Sequence, residues 1–245
     1  MISSLHTAQH GRALMPSGTK VVRRPAVKGL EGIVTGTHIR VAKGQMLYAE
    51  GESSPTPYLV VSGVLRVMVR AATGRDRLAD LAGAGDVLAT AVFDSSSHAE
   101  TVIAASDAVV ASIDVNRTLE RVQGRNDLAA ALVRQLNRSR EMADDLGLPM
   151  GARICRILAR VAERLGHKVE IDNGFSRSAT REWRHLPFSL THDDVALLAG
   201  CARVTATRVL GELKEAQVLD GHRGNYSVVP SALDAAADQY VYEVL

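Results

Sequence analysis

The chain has 245 residues, of which 46% are apolar and 23% charged, which is enough for one large or two small folded domains. No apolar run reaches the ~18 residues of a membrane span, and the N-terminus lacks the apolar core of a secretory signal. The two cysteines have no zinc, iron–sulfur or disulfide spacing. We therefore expect a cytoplasmic protein that does not associate with membranes.

The first 30 positions contain five basic residues and no acidic one, although the net charge of the whole chain is only +2. Their glycine, serine, proline and threonine content is typical of a disordered segment. We predict a basic, disordered tail over residues 1–28. The alternative is a basic arm that contacts phosphates or a partner.

Glycines separate the short apolar runs of the next segment, at Gly44, Gly51, Gly63, Gly74 and Gly85. Turn signals at this spacing predict a small all-β domain, a β-roll, over residues 29–115. Alternating side chains predict a strand over 65–70 with Leu65 and Val67 on one face. We expect residues 58–61 to pair with it in a hairpin.

The apolar period changes to that of a helix over residues 116–148. Small and apolar residues recur there every three or four positions, as in a coiled-coil seam: Leu128, Leu132, Leu136, Ser139 and Ala143. We predict a homodimerisation helix with this seam as its interface; the alternative is a helix packed on the β-roll. Gly147 and Pro149 mark its end and a hinge.

The last segment, residues 149–245, carries the clearest motif. Residues 166–189 are polar, and we predict a loop there. Thr191 is a candidate N-cap with Asp194 in the position of a capping box, Gly200 supplies a tight turn, and a second helix follows. Helix, glycine turn and helix form the helix-turn-helix pattern. The predicted fold class is thus α+β: a β-roll, a long helix and a C-terminal winged helix-turn-helix.

Hydroxyl and guanidinium groups occupy the first turns of this second helix. Such groups on a recognition helix contact base edges and phosphates of double-stranded DNA. A β-hairpin wing is predicted after it, with Arg223 in its turn. The alternative is an ordinary helical hairpin with solvated arginines. The candidate DNA contacts are Arg203, Val204, Thr205, Thr207, Arg208, Thr191 and Arg223.

The chain resembles the CRP/FNR family of bacterial transcription regulators over roughly residues 30–230. The matching motifs are Lys43-Gly44, Glu50-Gly51, the run 60–67, Gly85-Asp86 and the helix-turn-helix. The resemblance implies a jelly roll like that of cyclic-nucleotide-binding domains, a homodimer and RNA polymerase as a partner. Val204 stands where many members have glutamate, and the recognition helix is similar to that of the cyanobacterial global nitrogen regulators, which recognise GTA half-sites.

The candidate effector site differs from the sites of family members that bind cyclic nucleotides. Those members hold the ribose with a glutamate and the phosphate with an arginine. Here the first segment is Leu88-Ala89-Thr90, without a carboxylate, and His98 begins the second, without an arginine. We therefore expect no cofactor and no binding of cyclic AMP. The resemblance to the nitrogen regulators places Arg134 where an arginine faces 2-oxoglutarate and Ser139 at its companion position, so 2-oxoglutarate stays open as an effector.

Motifs of common enzyme classes are absent from the sequence: no G-x-S-x-G, P-loop or G-x-G-x-x-G is present. We expect that the protein is not an enzyme. The prediction is a homodimeric regulator that binds a palindromic DNA site. The alternative is a ligand-binding module, for 2-oxoglutarate or another small effector, that acts mainly through protein partners.

Overall fold

A computed structural model describes residues 29–53, 56–71, 76–89, 97–170 and 182–242, together with Val27 and Gly74. The predicted tail lies outside the described residues, apart from Val27. The N-terminal half is a roll of two antiparallel four-stranded sheets, with strand orders β1-β8-β3-β6 and β2-β7-β4-β5. The strands are β1 (Thr35–Val41), β2 (Met46–Tyr48), β3 (Tyr58–Ser62), β4 (Leu65–Arg70), β5 (Asp76–Ala82), β6 (Val87–Leu88), β7 (Thr101–Ala104) and β8 (Ala108–Ile113).

The two sheets enclose an apolar core built from inward-facing residues of both. Val60 and Val110 come from one sheet, and Leu65 and Val102 from the other; all four are fully buried. Burial of aliphatic side chains at these alternating positions fixes the strand register, because a shift by one residue would expose them.

The predicted hairpin between residues 58–61 and 65–70 is wrong. β3 pairs with β8 and β6, whereas β4 pairs with β5 and β7, so the chain crosses from one sheet to the other between them. Gly63 makes this crossing with a φ of +82°, and a β-carbon there would lie 2.3 Å from the carbonyl oxygen of Asp107. A close approach of this kind requires glycine.

The helix predicted over 116–148 is divided in the structure. α1 (Val115–Glu120) and α2 (Val122–Asp144) are separated by Arg121, whose backbone is extended, and a 3-10 turn (Asp145–Gly147) follows. The break brings Gly124 against α1, where a β-carbon would lie 2.3 Å from the Thr118 carbonyl oxygen. α3 (Met150–Leu165) then begins the C-terminal half.

The described part of the C-terminal half contains three further helices and one sheet. α4 (His192–Ala199) and α5 (Arg203–Glu215) form the helix pair, and α6 (Pro230–Tyr242) packs on α3. The sheet has the order β11-β12-β10-β9, with β9 (His167–Val169), β10 (Trp183–His185), β11 (Leu219–His222) and β12 (Asn225–Val228). The loop predicted over 166–189 therefore contains two strands, and residues 171–181 lie outside the described chain.

A continuous apolar cluster joins the two halves. Leu78 and Leu81 of β5 are buried in the same cluster as Leu158 of α3, Val195 of α4 and Leu210 of α5. This packing places the helix pair directly against one face of the β-roll. No helix in the described chain is both long and apolar enough to cross a lipid bilayer.

Candidate nucleic-acid interface

The first helix of the pair begins with a reciprocal cap. The Thr191 hydroxyl oxygen accepts a hydrogen bond from the Asp194 amide at 3.0 Å, and the Asp194 carboxylate accepts one from the Thr191 amide at 2.9 Å. The predicted capping box is confirmed. Thr191 is exposed at the start of α4, where the backbone amides carry partial positive charge.

A left-handed glycine ends this helix and turns the chain into the next one. Gly200 has φ +66° and ψ +38°, a conformation that glycine adopts without steric cost. The amide of Cys201 then donates to the carbonyl of Ala196 at 2.9 Å. Ala202 is the N-cap of α5 and offers no side-chain hydrogen bond to its first turn.

The second helix has one buried and one exposed face. The buried face consists of Ala206, Val209, Leu210 and Leu213. The exposed face consists of Arg203, Val204, Thr207 and Arg208. Thr205 is half-buried at the edge of that face. The structure therefore brings the predicted DNA contacts of α5 onto one exposed surface.

Arg203 projects from the first turn of α5. Its side chain is 69% exposed, and its Nε lies 3.3 Å from the Asp193 carboxylate of α4, which is also mostly exposed. An exposed ion pair of this kind contributes little stability. The guanidinium can therefore exchange Asp193 for another acceptor at small cost.

Arg208, in the next turn of α5, has stronger partners within the protein than Arg203 has. Its guanidinium donates to the carboxylate of Glu212 on the same helix, and that carboxylate also accepts the hydroxyl proton of Tyr240 on α6. Burial and the Glu212 carboxylate both raise the pKa of Tyr240, so its hydroxyl stays a donor. The C-terminal helix thus restrains one of the candidate DNA contacts.

The wing carries a separate basic residue at its tip. Arg223 and Gly224 form the two-residue turn between β11 and β12, and both have positive φ, at +51° and +84°. This is the turn geometry that matches the twist of a two-stranded hairpin. The carbonyl of Gly224 accepts the amide of Leu190 at 2.9 Å, which fixes the wing beside the start of α4.

Three residues that contact the candidate DNA-binding residues were missed by sequence reasoning. His192, the first residue of α4, lies between Thr207 of α5 and Tyr226 of the wing, and Asp193 and Glu212 engage the two arginines. The signal that could have found His192 is its position next to the N-cap. Its partners come from other elements, and sequence spacing does not reveal them.

An exposed helix of this size and chemistry fits the major groove of DNA. With 13 residues α5 is about 20 Å long, and the groove is about 12 Å wide, enough to admit one helix. Its guanidinium and hydroxyl groups can donate to base acceptors and phosphates, and Val204 offers an apolar surface suited to a thymine methyl group.

Two family models match the chain: the cyclic nucleotide-binding domain over residues 38–124 and the Crp-like helix-turn-helix domain over residues 152–233. The chain belongs to the CRP/FNR family of transcription regulators. In this family the helix-turn-helix is the DNA-binding element, so α4, α5 and the wing form the DNA-binding unit of a CRP-like regulator.

Similar proteins extend over most of the chain. A CRP-like cAMP-activated global transcriptional regulator from Mycobacterium tuberculosis is 23% identical over 188 residues, 74% of this chain and 76% of that protein. A CRP-family transcriptional regulator from Thermus thermophilus has TM-score 0.66 at 20% identity, covering 82% of this chain and 97% of that one. FixK2 from Bradyrhizobium japonicum has TM-score 0.65 at 21% identity, covering 83% and 98%. The two solved structures have the same fold as this chain.

The long helix of this CRP/FNR member carries an exposed apolar stripe. Val122, Val133 and Leu136 are 65%, 54% and 69% exposed, and Ser139 and Ala143 are exposed further along the helix. These positions recur at intervals compatible with a seam between two helices. Isolated exposed aliphatic residues are ordinary, but an aligned series marks a candidate interface.

Leu128 does not belong to this stripe, and its predicted role in the dimer seam is corrected. It is 4% exposed and packs inside the protomer with Leu30, Ile33 and Leu59. Leu132 is half-buried at the edge of the same cluster. The first part of the predicted seam therefore packs within the protomer. The exposed stripe instead includes Val122 and Val133, which were not predicted.

The described side chains of the candidate effector region contact one another. The rings of Tyr48 and His98 stack with their centroids 3.8 Å apart, and the Tyr48 hydroxyl donates to Glu100 at 2.8 Å. The amide of Ala89 donates to the same carboxylate at 3.1 Å. Leu88 and Ala89 are fully buried beside Tyr48.

The described residues of this region disfavour an anionic phosphate group. Glu100 would repel an anion, and it already accepts the Ala89 amide that an anion could use. Burial lowers the pKa of His98, although Glu100 and Glu52 act in the opposite direction, so the ring favours its neutral form. Residues 87–100 contain no arginine or lysine.

The two residues suggested for 2-oxoglutarate lie elsewhere. Arg134 and Ser139 are exposed on α2, and Ser139 donates to the Gln135 carbonyl of its own helix at 3.2 Å. Within the described part of the chain, no hydrogen bond or ion pair joins either residue to Leu88, Ala89 or His98. Thr90 lies outside the described residues. The described residues therefore show no polar contact that joins the predicted effector residues into one site.

Proposed function

We propose that this protein binds a palindromic DNA site as a homodimer and regulates transcription from it, with RNA polymerase as its partner at the promoter. The observation that carries the proposal is the exposed face of α5, which presents Arg203, Thr207 and Arg208 above a fully buried opposite face. A DNA-reading surface requires donors that are free of stronger partners within the protein, and Arg203 meets this condition.

The second part of the proposal is the dimer. The stripe formed by Val122, Val133, Leu136, Ser139 and Ala143 would meet its twin across a two-fold axis. A two-fold dimer presents two copies of α5 to one side of the duplex. Its half-sites should then lie about one helical turn, ~34 Å, apart.

The third part is that DNA binding does not depend on cyclic AMP. The Mycobacterium tuberculosis relative is named as cAMP-activated. In this chain the carboxylate of Glu100 accepts the Ala89 amide and the Tyr48 hydroxyl, and the rings of Tyr48 and His98 stack on each other. A protein whose DNA-competent state is already populated needs no ligand to shift it.

The test is a selection of genomic DNA fragments by the purified protein, followed by gel-shift titration of the recovered sequence with and without millimolar cyclic AMP. We expect a palindrome with half-sites one helical turn apart, bound equally in both conditions. Recovery of fragments without a shared sequence would contradict specific binding. An increase in affinity of tenfold or more with cyclic AMP would contradict the third part.

A further inference from the structure

We infer that His192 is a positioning residue for DNA recognition: it links the buried Tyr226 of the wing to Thr207 on the exposed face of α5 and fixes the direction of the Thr207 hydroxyl. This inference rests on the proposed function, because Thr207 matters only if α5 contacts DNA. His192 itself need not touch a base.

The geometry joins three elements through one imidazole ring. Nδ1 of His192 lies 2.9 Å from the Thr207 hydroxyl oxygen, and Nε2 lies 3.0 Å from the Tyr226 hydroxyl oxygen. Both distances are those of good hydrogen bonds. His192 is the first residue of α4, Thr207 lies in the second turn of α5, and Tyr226 lies in β12. The ring therefore couples the first helix, the recognition helix and the wing.

The buried Tyr226 determines which nitrogen of the His192 ring carries the proton. Tyr226 is fully buried, and burial raises the pKa of its hydroxyl, while the backbone amide of Gly224 acts in the opposite direction. The hydroxyl is thus protonated and needs an acceptor, because an unpaired buried donor is costly. The Nε2 atom of His192 is that acceptor within the described chain.

A neutral imidazole has one donor and one acceptor nitrogen. If Nε2 accepts from Tyr226, the proton of the ring is on Nδ1 and is donated to the oxygen of Thr207. The hydroxyl proton of Thr207 is then directed away from His192, toward solvent or a DNA acceptor. In this arrangement Thr207 donates to DNA in a fixed direction.

The charges around the ring favour this neutral form. Burial lowers the pKa of His192, Lys214 and Arg203 of α5 lower it further, and Asp193 of α4 acts in the opposite direction. Lys214 also lies over the ring of Tyr226, 5.6 Å from its centroid. Protonation would turn Nε2 into a donor and leave the hydroxyl proton of Tyr226 without an acceptor among the described residues.

The affinity test compares binding to the selected site and to random DNA at one salt concentration, by fluorescence anisotropy with the full chain. His192→Ala should weaken binding to the selected site about three- to tenfold, the effect of one hydrogen bond, and leave random DNA unchanged. His192→Gln, which can both donate and accept, should retain the wild-type ratio. In a double-mutant cycle, His192→Ala should add nothing to Thr207→Val.

A pH series separates positioning from mere packing. The ratio of selected-site to random affinity should fall for the wild type as the pH drops below the usual histidine pKa of about 6.5. It should stay level for His192→Gln, which does not titrate. An additive double mutant, or a His192→Ala ratio equal to that of the wild type, overturns the inference.

The tautomer provides a test that needs neither a variant nor DNA. Nitrogen NMR of the His192 ring in the full chain should show a protonated Nδ1 and an unprotonated Nε2 at neutral pH; the reverse tautomer overturns the inference. If the wild type binds selected and random DNA equally, the proposed function fails and the inference with it. If the wild-type preference is intact while the His192 effects are absent, the inference alone fails.

Discussion

Arg66 of β4 and Asp194 of α4 form a two-bond ion pair between the β-roll and the DNA-binding unit. Nε of Arg66 donates to Oδ1 at 2.8 Å and Nη2 donates to Oδ2 at 2.7 Å, while Nη2 also donates to the Ser189 carbonyl at 2.8 Å. The same Asp194 closes the capping box of α4 with Thr191. One carboxylate therefore stabilises the helix start and attaches it to the β-roll.

Replacing Arg66 by methionine should lower the free energy of unfolding by about 1.5–3 kcal/mol, because Asp194 loses charge-assisted hydrogen bonds at a mostly buried site. Urea denaturation of both proteins measures the difference. Arg70→Met is the matched control: Arg70 lies on the same strand, but its pair with Asp76 is exposed and 3.4 Å long. A loss equal to that of the control would show that the pair contributes nothing.

The contribution of this pair should depend on acid pH. Burial opposes ionisation of Asp194, but the hydrogen bonds from Arg66 and Thr191 outweigh it and lower the pKa of the carboxyl below its usual 3.8. A lowered folded-state pKa gives stability that is present above pH 3.8 and is lost as the pH falls through the folded value. The difference between wild type and Arg66→Met should therefore shrink below about pH 4. A constant difference from about pH 7 to about pH 3 would contradict this assignment.

Replacing Ala202, the N-cap of α5, by a residue with a side-chain acceptor should stabilise this helix. Ala202 has the extended backbone of an N-cap but no oxygen for the free amides of the first turn of α5. Ala202→Ser should add about 1 kcal/mol, which corresponds to a rise in Tm of roughly 2–4 °C for a chain of this size. Ala202→Val, which adds bulk without an acceptor, is the control in thermal melts. An unchanged or lower Tm for the serine variant would show that the cap is not limiting.

The dimer prediction concerns the exposed stripe of α2. Leu136→Glu should produce a monomer, because an unpaired carboxylate would be buried in the seam. Light scattering measures the mass of the particle. Arg134→Glu is the control: it places a carboxylate two residues away on the same helix at an exposed position outside the stripe. A dimer that survives Leu136→Glu would place the interface elsewhere.

Sequence patterns over short stretches predicted those features of the DNA-binding unit that depend on neighbouring residues. The capping box at Thr191, the turn at Gly200 and the apolar face of α5 each depend on residues that follow one another at intervals of four positions or fewer. Such signals are direct consequences of helix geometry. They suffice to locate a helix-turn-helix and its exposed donors without any knowledge of the rest of the chain.

Partners from distant parts of the sequence could not be predicted in this way. Arg66 and Asp194 are 128 positions apart, and His192 and Tyr226 are 34 apart. Leu128 illustrates the same limit: its period places it on an apolar face, but periodicity does not say whether a twin helix or Leu30 covers that face. Which residues contact one another in these cases depends on how separate helices and strands pack, and the sequence pattern does not contain that information.

The most direct test of the account is the effect of Arg203→Ala on binding to the selected palindrome and to random DNA, measured at the same salt concentration. Arg70→Ala, which removes an equally exposed arginine from the β-roll, controls for net charge. We expect Arg203→Ala to lose about 1–3 kcal/mol on the palindrome and little on random DNA, since a bidentate arginine contact reads one base pair. Equal losses on the two DNAs would mean that Arg203 touches only phosphates, and would contradict sequence recognition by this helix.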